Sequence, residues 1–256
     1  MTHAILSDKE LAILEKIIQR YGPIASFEDI KKLLATDYSS DEIKKQVSHL
    51  VKRGWLVRMK RGAFAVASLE SHSFASISPL LVSQVLVPDS YVSFEFALGH
   101  HGLFDQLPAK LTAITPVKPR RFAFQAIDYE YRKIKPVLYF GYEEVPIDSL
   151  SANVAELEKV FLDYLYFRID TYSVDIVLEK LAEGKDDIDY GRLSSYAERF
   201  PLAVQRRLGF LMDLAGVSTE DLHQTVKKRP GYSKLTRTSG KFNAKWRIYY
   251  EDRFTE

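Results

Sequence analysis

The residues best suited to chemistry are cations, and they are segregated. Lys44, Lys45, Lys52, Arg53, Arg58, Lys60 and Arg61 fall between positions 44 and 61 without an Asp or Glu among them. Lys227, Lys228, Arg229, Lys234, Arg237, Lys241, Lys245 and Arg247 do the same between 227 and 247. The formal net charge of the chain is only +2, so the remainder is acidic on balance. Two local positive surfaces are therefore expected, the feature that an anionic partner such as nucleic acid requires. In the first run Ser48 and His49 add hydrogen-bonding groups that can reach bases or phosphates. In the second, Tyr232, Phe242, Trp246 and Tyr249 are interleaved with the cations. That pattern reads either as a surface for nucleic acid or an acidic partner, or as a solvated hairpin whose aromatics pack inward.

Catalytic alternatives are weaker. Asp186, Asp187 and Asp189 are of a type that binds metal, but they stand where a loop enters a helix, and capping and the helix dipole account for them. His100 and His101 are adjacent at a helix end and would point in different directions. No phosphate-binding glycine loop, HExxH or GxSxG pattern is present. With no cysteine in the chain, thiolate zinc sites, disulfides and cysteine nucleophiles are excluded. The expectation is a protein that is not an enzyme and has neither metal nor cofactor. The N-terminus lacks a basic segment followed by an apolar run, and no stretch reaches the roughly 18 apolar residues of a membrane span. A cytoplasmic protein without membrane contact is expected.

The elements that must position the first cationic run are legible. "SDKELAILEKIIQRYG" places Leu11, Leu14 and Ile18 at helical spacing, with Ser7 as cap and Gly22-Pro23 as stop. "SFEDIKKLLATDY" follows with Ser26 and Asp29 as a capping pair. A third helix is expected with Ser40 as cap, Asp41 and Glu42 in its first turn and Gly54 as stop. Its Ile43, Val47, Leu50 and Val51 share one arc, and Lys45, Ser48, His49 and Lys52 the opposite one. Period-2 alternation then begins, with Trp55, Val57 and Met59 on one side and Leu56, Arg58 and Lys60 on the other. A turn at Lys60-Arg61-Gly62 returns the chain as a two-stranded hairpin. Helices followed by such a hairpin form the winged helix-turn-helix plan.

The Ser-rich "SHSFASISPL" sets a boundary near 68–75, giving a DNA-binding domain over 1–67 and a second domain over 76–256, with a further division near 150. Beyond it, helices are expected at Pro79 to Val87 and from Ser93, then a small antiparallel sheet from "KLTAIT", "RFAFQAI", "YEYRKI" and "PVLYFGY". Helices return from 151, beginning with "SANVAELEKVFLDYLYFRI", and continue to about 228, before a closing hairpin. The fold class is expected to be α+β, an N-terminal winged helix-turn-helix followed by a larger mixed domain with a helical C-terminal part.

Together these residues resemble the AbiEi-type antitoxins, transcriptional regulators of viral defence systems. The likeness is carried by Arg61-Gly62 with Phe64, "YVSFEFALGHHGL", "QRRLGFLMDLAG", and "YSKL" followed by "GKFNAKW". It implies a type IV toxin-antitoxin (abortive infection) operon. There the protein represses its own promoter, double-stranded DNA, through the winged helix, and counteracts a nucleotidyltransferase-like toxin through the C-terminal domain. A ligand-responsive winged-helix transcription factor is the alternative, and a nucleic-acid-processing enzyme with a DNA-binding appendage the third reading.

Overall fold

Short-range capping signals set the first elements of the computed structural model, which describes residues 6–67, 77–106, 108–184 and 187–254. The Ser7 side chain accepts from the Glu10 N–H and the Glu10 carboxylate accepts from the Ser7 N–H, a reciprocal box that starts α1 (Asp8–Tyr21). After a short strand, β1 (Ile24–Ser26), Ser26 and Asp29 repeat the device to start α2 (Phe27–Leu34). In α3 (Ser40–Lys52) the cap is Ser39 and not the expected Ser40, because only Ser39 has an acid, Glu42, three residues on to close the box. The buried arc of α1 also differs from the expected one. Ile13, Leu14 and Ile17 lie inside together with Glu10, while Ile18 is exposed. A charged residue occupies an inward position there, which displaces the apolar pattern read from the sequence.

The basic hairpin consists of β2 (Leu56–Lys60) and β3 (Ala63–Val66), joined through Gly62, whose φ of +77° favours glycine. It is not two-stranded: β1 pairs with β3, giving an antiparallel sheet in the order β1-β3-β2. Three residues are too few to display a strand period, which is why β1 escapes a sequence reading. The expected alternation fails as well. Trp55, Leu56 and Met59 are all buried, and the register slips between Arg58 and Lys60, so that a bulge breaks the period of two. Leu14, Ile17, Ile30, Leu34, Leu50, Trp55 and Phe64 meet in one core. Burying each such side chain contributes about 1.5–3 kcal/mol.

The chain continues through α4 (Pro79–Leu86), β4 (Tyr91–Val92), α5 (Phe94–His100), β5 (Lys110–Thr115), β6 (Arg120–Phe124), β7 (Ile127–Lys133), β8 (Tyr142–Ile147) and β9 (Leu150–Ala155). These strands form a six-stranded sheet in the order β6-β7-β5-β4-β9-β8. It is mixed, not the small antiparallel sheet expected: β5 runs parallel to β7 and β4 parallel to β9, while β4 and β5 are antiparallel. "PVLYFGY" is not a strand, since Pro136–Leu138 forms a 3-10 turn and pairing begins only at Tyr142. Residues 151–155 are strand instead of helix. Val154 pairs with Val92, and Glu156, with ψ 152°, delays the helix until Leu157.

Helices α6 (Leu157–Phe167), α7 (Thr171–Glu183), α8 (Tyr190–Glu198), α9 (Leu202–Leu214) and α10 (Glu220–Val226) follow. The chain closes with β10 (Ser233–Lys234), β11 (Lys241–Asn243) and β12 (Ile248–Tyr250). The closing hairpin is β11 and β12, with β10 added in parallel on the other edge of β12. Helices and mixed sheets make the fold class α+β. The chain divides into two compact units, one of Met1–Pro88, Phe122–Ile127 and Glu144–Ala152, the other of Asp89–Arg121, Asp128–Glu143 and Asn153–Glu256. The boundary expected near 68–75 falls outside the described residues. Among the described residues no helix is long and apolar enough to cross a membrane.

Candidate nucleic-acid interface

The helical period of α3 separates its two faces cleanly. Ile43, Val47 and Leu50 are buried, whereas Lys44, Lys45, Ser48, His49 and Lys52 are exposed. Lys44 lies 3.0 Å from Asp41 one turn back, an ion pair between two exposed side chains. Arg53 departs from this pattern. Its Nη1 donates to both carboxylate oxygens of Glu10 at 2.8 Å, and His49 Nε2 lies 3.2 Å from the same carboxylate. Glu10 is 4% exposed. Burial alone would raise its pKa, but hydrogen bonds from the Ser7 backbone and hydroxyl, with the Arg53 charge, hold it below the usual carboxylate value.

Glu10 thus fixes one end of the basic helix to α1. A cleft of about 480 Å³ lies between the two helices, and Lys9, Lys45 and His49 help to line it. Sequence reasoning gave Glu10 and Lys9 no such role. The Ser7–Glu10 capping signal is local and visible, but the contact with Arg53 spans 43 residues and leaves no local pattern.

In the hairpin, Arg58 and Arg61 are exposed, and the Arg58 guanidinium lies 5.8 Å from the ring centroid of Phe64, its cross-strand partner. Lys60 is half-buried, and its ammonium donates to the Leu86 carbonyl at 3.3 Å. The two tip cations of the sequence reading are therefore placed differently, Arg61 outward and Lys60 toward α4.

The C-terminal run, Lys227, Lys228, Arg229, Lys234, Arg237, Lys241, Lys245 and Arg247, is exposed throughout. Several of its members also hold structure. Lys245 donates to Asp213 at 2.7 Å and to Thr219 at 3.0 Å, Lys227 donates to Gln224, and Arg247 Nε donates to the Gly231 carbonyl at 2.9 Å. The scaffold beneath comes from "QRRLGF". The buried Arg206 donates to the carbonyls of Arg229 and Pro230, and Arg207 to those of Lys234 and Leu165. Trp246 is fully buried, its indole N–H donating to Asp213 at 2.6 Å, and its ring lies flush against Gly209. The aromatics thus divide. Trp246 packs inward, whereas Tyr232 and Phe242 are 67% and 50% exposed.

The groups weighed for catalysis are dispersed. Asp189 caps α8 by accepting from the Arg192 N–H at 2.9 Å, and Asp186 lies outside the described residues. The His100 and His101 rings are 5.2 Å apart with planes at 68°, and His101 Nε2 meets the Ala155 carbonyl at 2.8 Å. Burial, and then its neighbour His101, push the His100 pKa down. Among the described residues no three His, Asp or Glu side chains gather as a metal site would require. The second unit also holds a sealed polar cluster that the sequence did not signal. Lys159 pairs with Asp163 and donates to the Tyr91 hydroxyl at 2.6 Å, and Ser93 donates to Asp163 at 2.9 Å, all fully buried. Burial pushes the Asp163 carboxyl up and the Lys159 ammonium down.

No protein-family model and no curated protein matches the chain. Among solved structures it is similar to the crystal structure of the RV2827C protein from Mycobacterium tuberculosis, with a TM-score of 0.68. The match covers 97% of this chain and 94% of that one at 13% sequence identity, so the likeness is one of fold.

Proposed function

We propose that residues 1–67 form a winged helix-turn-helix that binds double-stranded DNA, and that the protein is an AbiEi-type antitoxin and autorepressor of a toxin-antitoxin operon. It works in the cytoplasm against a nucleotidyltransferase-like toxin, without a cofactor or catalysis of its own. The observation that carries the DNA reading is the outer face of α3. It presents Lys45, Ser48, His49 and Lys52 to solvent, and no acid is present between positions 44 and 61. A recognition helix placed in the major groove reads base edges with such side chains, while flanking cations contact phosphate. Arg58 and Arg61 in the hairpin suit the wing, where they would lie over the backbone or the minor groove. The antitoxin assignment rests on the AbiEi motifs in the sequence.

The test is equilibrium binding of the full chain to the DNA upstream of its own gene and to a scrambled duplex. The proposal expects preference for the upstream DNA, and loss of that preference in a Lys45→Ala/Ser48→Ala variant. Equal binding to both duplexes by the wild type would contradict autorepression. The antitoxin assignment requires that co-expression rescue cells from a nucleotidyltransferase-like protein encoded beside it, and failure to rescue would remove it. A ligand-responsive regulator is favoured by one observation only, a cavity of about 490 Å³ in the second unit whose lining includes Lys110, Arg132, Arg168 and Arg237. Release of DNA on adding a small anion would support that reading.

A further inference from the structure

The C-terminal sheet has one face against α9 and one face toward solvent. Along β12 Ile248 is fully buried and the half-buried Tyr250 has its ring centroid 5.0 Å from that of Phe210, so by the pleat Tyr249 between them points to the other face. Directly paired residues share a face, and Tyr249 pairs with Phe242 on β11 and with Lys234 on β10. Tyr232 meets Tyr249 edge-on at 5.3 Å, and Phe242 meets it at 5.0 Å. The result is an aromatic row across the outer face, with Tyr249 half-buried at its centre and the two exposed rings on either side. Lys234 stands in the row, and Arg247 is tied to Gly231 beside Tyr232.

We infer that this face is a binding site for single-stranded nucleic acid, with bases stacked on Tyr232 and Phe242 and phosphates neutralised by Lys234 and Arg247. Two exposed rings do not gain from a duplex, whose bases are already stacked on one another. An unpaired base offers a π-face to an aromatic ring whatever its sequence, and a sheet carrying aromatics with cations at its margin is suited to such strands. Charge complementarity points the same way, because positions 227–247 contain eight cations and no acid. The site lies wholly in the second unit and is independent of the proposal for residues 1–67.

The experiment is fluorescence anisotropy of the full chain with short labelled single strands of RNA and of DNA, and with an abasic strand of the same length and charge. Intact strands are expected to bind more tightly than the abasic one. Phe242→Leu and Tyr232→Leu, which keep an apolar side chain but remove the ring, should each weaken binding by roughly 5- to 150-fold. Phe242→Tyr should bind like the wild type. The ring variants should leave the salt dependence unchanged, whereas Lys234→Ala with Arg247→Ala should reduce its slope by about 0.7 for each phosphate these cations neutralise. Arg58→Ala with Arg61→Ala should have no effect, which separates this site from the first unit. Equal binding of intact and abasic strands, or binding insensitive to both ring substitutions, would overturn the inference. So would displacement by polyglutamate that depends on the same rings, which would assign the face to an acidic protein.

Discussion

Replacing Glu10 by glutamine tests whether the basic helix is held in place by a residue from outside it. Glutamine keeps the side-chain length and the acceptor that closes the Ser7 box, so the cap of α1 should survive. What disappears is the charge facing Arg53 and His49. Arg53 is 24% exposed and gives two hydrogen bonds at 2.8 Å, contacts to a charged group that contribute about 1.5–3 kcal/mol. His49 is 56% exposed, so its contact adds at most about 1 kcal/mol. A loss of about 2 kcal/mol at pH 7 is therefore expected, read as roughly 30-fold faster amide exchange in α3. The pH dependence has a definite sign. A carboxyl whose pKa is depressed in the folded state adds stability above its unfolded value, and that stability is lost as pH falls through the folded value. The gap between wild type and Glu10→Gln should thus narrow below about pH 4.3. Unchanged exchange at pH 7, or a gap that widens in acid, would refute the argument.

Two further substitutions probe local structure. Ser39→Ala should destabilise α3 by about 1 kcal/mol in urea unfolding, and Ser40→Ala by less than about 0.5 kcal/mol; the reverse order would restore Ser40 as the cap. Gly209→Ala places a Cβ 2.1 to 2.5 Å from three atoms of the Trp246 ring, which is pinned through its N–H to Asp213. Helix propensity alone would make alanine stabilising by about 1 kcal/mol, whereas overpacking costs about 3 kcal/mol, so a net loss of about 2 kcal/mol in thermal unfolding isolates the packing effect. An unchanged or raised Tm would contradict it.

What could be read from the sequence was local. The caps at Ser7 and Ser26, the two faces of α3 and the helices beyond Leu157 all depend on residues within one or two turns of each other. The misplaced strands share a cause, which is pairing across long separations, whereas the Ser39 cap and the inward Glu10 are local features. β1 is a strand because β3 pairs with it, its three residues being too few to show a period, and β9 is one because β4 pairs with it, although its residues run directly into α6. Leu56 is buried together with Trp55 and Met59, against the expected alternation, and the bulge between Arg58 and Lys60 is defined only against β3. At the candidate interface, the exposed face of α3 follows from its 3.6-residue period, but the clamp on Arg53 comes from Glu10 and the tether on Lys60 from Leu86. The aromatic row at the C-terminus likewise depends on a parallel pairing of β10 with β12 that no hairpin pattern would suggest.

The central claim, that the first unit grips duplex DNA through α3 and the basic hairpin, is tested most directly by the salt dependence of binding to the upstream DNA. Wild type is compared with Arg58→Ala/Arg61→Ala. Each phosphate neutralised contributes about 0.9 to the slope of log affinity against log salt, so removing both arginines should make the slope shallower by roughly two and weaken binding to specific and scrambled duplexes alike. An unchanged slope with unchanged affinity would contradict the account.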